Sequence, residues 1–148
     1  MKKLSVLILA AVLTASVFVL AACSPPGRID IERFAAVAAE SEFALEREGD
    51  YIITAALNAN ATVRFERHAA DTYARERFEY KRALLRGRYN SFSSSSEVIM
   101  SGHGSWRFNS GGRHYLVQWV GTDFVFAQGL TADRSAINDF LDAVRESS

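Results

Sequence analysis

The stretch that decides the fold is Glu97-Val98-Ile99-Met100-Ser101-Gly102-His103-Gly104-Ser105-Trp106-Arg107-Phe108. Val98, Met100, Gly102, Gly104, Trp106 and Phe108 share one parity; Glu97, Ile99, Ser101, His103, Ser105 and Arg107 share the other. A period of two is that of a strand with one buried face. Gly102 and Gly104 carry no side chain to pack, so a bend or bulge is expected there. Asn109-Ser110-Gly111-Gly112 turns the chain, and Tyr115, Val117 and Trp119 carry the apolar face back. Gly121-Thr122 suits a two-residue hairpin, with glycine where φ must be positive. In that register Trp119 meets Phe124 and Val117 meets Phe126, pairs worth ~0.2–1 kcal/mol each over an alanine pair. The expected scaffold is therefore a three-strand meander.

Working outward, Thr131 is expected to cap a last helix whose stripe is Ala136, Ile137, Phe140, Leu141 and Val144. Before the meander, Gly87 to Ser96 is serine-rich and reads as a mobile loop that Tyr89 and Phe92 pin to the core. His68 to Leu85 fits a helix with Ala70, Tyr73, Ala74, Phe78, Leu84 and Leu85 on its apolar side. Thr62 to Arg67 and Tyr51 to Leu57 alternate as strands. One long helix over residues 61–85 is the competing reading, because Val63 and Phe65 alone do not settle the period. Asp30 reads as an N-cap, followed by a helical stripe through Ile31, Phe34, Ala35, Ala38, Ser41 and Leu45, with Gly49 as its stop. The fold class is α+β: an antiparallel sheet with helices mostly on one face, in the order α-β-β-α-β-β-β-α.

The N-terminus carries a separate signal. Lys2 and Lys3 precede an apolar run from Leu4 to Leu20, then Ala21-Ala22-Cys23 and Ser24-Pro25-Pro26-Gly27. A positive end, an apolar middle and small residues at a cut site form an export signal. The run is also near the ~20 residues that span a bilayer; the position of the one cysteine favours cleavage. Leu20-Ala21-Ala22-Cys23 resembles the lipobox of bacterial lipoproteins. That resemblance implies cleavage before Cys23 and diacylglyceryl attachment to its thiol. Residues 1–22 are then a signal peptide, 23–29 a lipidated tether and 30–148 a single domain. The implied location is the extracytoplasmic face of the cell membrane. The layout is also similar to small lipoproteins of Gram-positive bacteria, a likeness that supplies no activity.

Removing residues 1–22 leaves 126 residues, with 15 basic against 17 acidic side chains. One domain of that length can bury a core without disulfides. The balance gives no basic footprint for nucleic acid. Arg64, Arg67, Arg75, Arg77, Lys81, Arg82, Arg86 and Arg88 crowd one region, but acids interleave with them, as on a solvated helix face.

No catalytic set is visible. His103 as base and Ser105 as nucleophile are neighbours on the polar parity of a strand, with no third group to orient the base. Trp106 and Trp119, with the neighbouring phenylalanines, could line an apolar pocket, and His103, Trp106 and Trp119 are the candidate ligand-binding residues. No histidine pair has ligand spacing, and no cofactor or metal motif is present. Gly102-His103-Gly104 lacks the lysine and following helix of a phosphate loop. The expectation is a non-enzymatic, lipid-anchored binding domain whose partners are the membrane, through Cys23, and an envelope protein or wall component. The alternative is a small-ligand carrier or weak hydrolase around His103, Ser105 and Trp106.

Overall fold

The structure is a computed structural model that describes residues 26–145. The expected signal segment and Cys23 lie outside the described residues. Helix α1 spans Ile31–Glu40, followed by strands β1 (Ala44–Glu48), β2 (Ile52–Ala56) and β3 (Thr62–Arg67). Helix α2 (Asp71–Arg88) leads to β4 (Ser94–Met100), β5 (His103–Ser110), β6 (Arg113–Val120) and β7 (Asp123–Leu130). A 3₁₀ turn at Thr131–Asp133 opens α3 (Arg134–Val144). The strands form one sheet in the order β1-β2-β3-β7-β6-β5-β4, and every neighbouring pair is antiparallel.

The α+β class holds, with two of the three helices on one sheet face. On that face Ile53, Ala55, Val63, Phe65, Leu116, Val125 and Ala127 pack under α1 and α3, which contribute Phe34, Ala38, Ile137, Phe140, Leu141 and Val144. Phe34 meets Phe140 edge-on at 4.9 Å between centroids, a geometry that adds ~0.5–1.5 kcal/mol beyond its buried area. Ile29 joins this core and bridges Arg145, so the last residue of the expected tether belongs to the domain. On the opposite face, Trp106, Phe108, Tyr115, Val117, Trp119, Phe124 and Phe126 lie under α2.

Helix α2 covers these aromatics with few apolar residues. Only Ala74, Phe78 and Leu85 are buried; Tyr73 and Leu84 of the expected stripe are exposed. Cations supply the rest of the cover: Arg77 lies 5.6 Å from the Phe124 ring, Lys81 3.9 Å from Phe126 and Arg86 5.2 Å from Trp106. Each such contact is worth about 0.5–1 kcal/mol at a partly exposed site. Part of the basic run read as a solvated face thus lies along the aromatic layer, with the charged heads of Arg77, Lys81 and Arg86 over its rings.

The element order differs from expectation at two places. The first helix ends at Glu40, not at Gly49. Phe43 N–H bonds to Ala38 O and Glu42 N–H to Ala39 O, with Glu42 at φ 57°. This is a Schellman stop, which returns orphan carbonyls to partners, and Phe43 is anchored against Phe140. Ala44–Glu48 then pairs with β2 despite its helix-forming composition, because the hairpin through Gly49 supplies its backbone bonds. Gly49, at φ 69°, turns that hairpin instead of stopping a helix.

The second difference lies in the founding stretch. It is two strands joined by a two-residue turn at Ser101-Gly102, with Gly102 at φ 84°. Met100 pairs with His103 and Ile99 with Gly104, so parity flips across the turn. Val98 and Met100 therefore do not share a face with Trp106 and Phe108. The serine run also differs: Ser94–Ser96 opens β4, leaving only 89–93 as the loop. Tyr89 and Phe92 do pin that loop, Tyr89 on Phe108 and Tyr115, Phe92 on Trp106 and Phe108. Residues 61–85 are strand plus helix, and the pairs Trp119–Phe124 and Val117–Phe126 form as read.

Candidate functional site

The residues first singled out do not converge. His103 and Ser105 lie on the α1/α3 face of β5, His103 buried and Ser105 half-buried. No hydrogen bond joins them. Trp106 and Trp119 are on the opposite face, 1% and 3% exposed, inside the aromatic layer. Trp106 Nε1–H donates to Ser95 Oγ, which satisfies the indole within the core. Trp119 reaches the wall of an open groove between the start of α2 and the Ser101-Gly102 turn. Among the described residues no group of three or more His, Cys, Asp or Glu is placed to hold a metal ion.

The structure instead builds a groove along the second half of α2. Alternation on β6 and β7 points Arg113, Tyr115, Phe126 and Gln128 to the α2 face. Helical spacing sets Lys81, Leu84, Leu85 and Arg88 above them, three and four residues apart. Together with Tyr89 they line a groove of about 450 Å³, within the range of small-molecule sites. The floor is apolar and aromatic. The rim holds three cations, Lys81, Arg88 and Arg113, and no carboxylate lines it.

The electrostatics follow from that composition. Burial pushes the Lys81 ammonium below its ordinary value, and repulsion from Arg77 adds to it. The Tyr89 and Tyr115 hydroxyls are hydrogen-bonded to each other. Burial, with that hydrogen bond, raises Tyr115 above the usual phenol range; one of the two hydroxyl protons is spent between the rings, and the other is left for a ligand. Away from the groove, Arg77, Arg82 and Arg86 of α2 have carboxylate partners. Burial alone would raise Glu66, but hydrogen bonds from Arg77 and Arg64 outweigh it and hold the carboxyl below the usual range. Arg82 and Arg86 both pair with Glu97 of β4. Of the α2 cations without a carboxylate partner among the described residues, Lys81 and Arg88 lie at this groove, and Arg75 lies at the other end of the helix over Trp119. The sequence showed the basic run but not which of its members acquire carboxylate partners, since apart from Glu79, which pairs with Arg82 within α2, those come from β3 and β4.

No family model matches the sequence, and no curated protein matches it. Two solved chains match by structure. One is a GTP-binding regulator from Thermotoga maritima, which superimposes with a TM-score of 0.50 over 82% of this chain and 88% of that one, at 14% identity. The likeness concerns the fold: a similar α+β arrangement is used by a chain of nearly the same extent.

Proposed function

We propose that the chain is a lipid-anchored envelope lipoprotein whose domain is a non-catalytic binding module for an amphiphilic anion. The lipobox at Leu20-Ala21-Ala22-Cys23 supports the anchor and the extracytoplasmic location. The groove under α2 supports the ligand class. Its single most telling feature is a rim of three cations without a carboxylate above a floor of Leu85, Tyr115 and Phe126. Aliphatic and aromatic walls take an acyl chain or ring, and Lys81, Arg88 and Arg113 take the charged head. The structural neighbour is described as binding GTP; this chain has no glycine-rich phosphate loop, and the reading here rests on its own groove.

Two measurements test this. The intact mass of protein from the membrane fraction should equal residues 23–148 plus acyl chains, and Cys23→Ala should abolish that species. A full-length mass would remove the anchor from the account. Native mass spectrometry of the extracted protein should show an anionic amphiphile retained non-covalently, and Lys81→Gln/Arg113→Gln should lose it. Retention unchanged in that variant would move the ligand out of this groove.

A further inference from the structure

The other sheet face carries a second polar concavity, beyond the edge of α3. Register sets its members side by side: Ser94 faces Asn109, which faces His114, and in the next row Ser96 faces Arg107. Arg134, the first residue of α3, completes a groove of about 230 Å³. Gly129 makes this approach feasible, since a Cβ there would stand 3.1 Å from both Asp133 and Ile137. The start of α3 therefore lies close over β7, bringing Arg134 to the strands.

Two observations mark this groove as built for negative charge. Arg107 is half-buried and has neither ion pair nor hydrogen bond among the described residues. Such a guanidinium loses hydration without a partner in return. It also feels repulsion from Arg134 and Arg145, against attraction from Asp142, whose carboxylate is already paired with Arg145 at 2.8 Å. Beside them, His114 is 2% exposed and donates its Nδ1–H to Asn109 Oδ1 at 2.7 Å, which makes its Nε2 an acceptor without a partner among the described residues. Burial, with repulsion from Arg134 and Arg107, lowers His114 below its ordinary value. A half-buried, unpartnered guanidinium with a second, exposed arginine beside it destabilises the fold unless an anion joins them.

We infer that this groove binds a small oxyanion, a phosphate, sulfate or carboxylate group, through Arg107 and Arg134 with the hydroxyls of Ser94 and Ser96 as hydrogen-bond donors. The site lies on the opposite sheet face from the α2 groove and shares no residue with it, so either can fail without the other. Arg107 is the anchor, because a planar guanidinium with free N–H groups matches an oxyanion bidentately.

The test uses the full chain with inorganic phosphate and glycerol 3-phosphate, against chloride at matched ionic strength, read by calorimetric titration and melting temperature. Both oxyanions should bind and raise the melting temperature beyond chloride. Tighter binding of glycerol 3-phosphate assigns the site to an esterified headgroup, and tighter binding of inorganic phosphate to the free ion. Arg107→Gln should weaken binding by about tenfold or more, the worth of one charged hydrogen bond, while raising the melting temperature without ligand. Arg134→Gln, an exposed position, should weaken binding and leave the fold untouched. Wild-type protein responding alike to phosphate and chloride, or full phosphate binding by both variants, would overturn the inference.

Discussion

Trp119 occupies the space that a side chain on Gly104 would fill. The two are cross-strand partners on β6 and β5, and a Cβ on Gly104 would overlap the six-membered ring of Trp119 and come within 3.4 Å of Phe78. The glycine is therefore a floor for the tryptophan, which in turn carries Phe78 of α2 at 5.4 Å between centroids. One missing side chain sets how closely α2 approaches the sheet, and so the depth of the groove farther along that helix.

Gly104→Ala should accordingly destabilise the domain. Overpacking of a filled site costs typically ~1–3 kcal/mol. Chemical denaturation should show a lower midpoint, and near-ultraviolet circular dichroism should report a displaced Trp119. An unchanged midpoint would mean that the layer relaxes freely.

Glu42 holds a left-handed conformation, φ 57°, at the stop of α1. That conformation costs an L-residue roughly 1–2 kcal/mol and glycine little. Glu42→Gly should raise stability by about 0.5–1 kcal/mol after the greater freedom of the unfolded chain is subtracted. A lower melting temperature would show that the Glu42 side chain contributes more than its backbone strain removes.

His114 predicts a pH dependence. Unfolded, the imidazole takes a proton near pH ~6.5; folded, burial and then Arg134 and Arg107 keep it neutral to lower pH. Its contribution is complete above the unfolded value and is lost as pH falls below it, because the unfolded state then binds the extra proton. Wild-type melting temperature should fall more between pH 7 and 5 than that of His114→Gln. Parallel curves would place the imidazole in an environment that tolerates charge.

Strand β4 is an outer edge of the sheet, and Val98, Ile99 and Met100 are all more than 40% exposed on it. Such an edge invites pairing with another chain. Ile99→Lys should reduce concentration-dependent light scattering while leaving the melting temperature nearly unchanged. Undiminished scattering would shift the liability elsewhere.

Much of this architecture was legible in the sequence where local signals and tertiary needs agree. The alternation through Trp106 and Phe108, the Gly121-Thr122 hairpin and the stripe through Ile137, Phe140 and Val144 each had one consistent period. The misreadings share a cause. Ala44–Glu48 favours a helix locally and is a strand only because β2 pairs with it. Ser101-Gly102 preserved an apparent parity through a turn that reverses it. The candidate residues lie beyond that flip: parity set His103 apart from Trp106 correctly but left the surroundings of β5 invisible. Both grooves escape a linear reading for a related reason. Lys81, Arg88 and Arg113 come from two elements, and Arg107, His114 and Arg134 from three. Their common feature, the absence of a carboxylate partner, exists only after folding.

The measurement that bears most directly on the proposed function is a titration of the full chain with octyl phosphate, octanoate and octyltrimethylammonium below their micelle concentrations. In an Arg107→Gln background, which removes the anchor of the oxyanion groove, the protein should bind the two anions in preference to the cation, and adding Lys81→Gln/Arg113→Gln should abolish that preference. Equal affinity for the anionic and cationic amphiphiles in the Arg107→Gln protein, or a preference that survives the added Lys81→Gln/Arg113→Gln, would contradict the assignment of the α2 groove as the binding site.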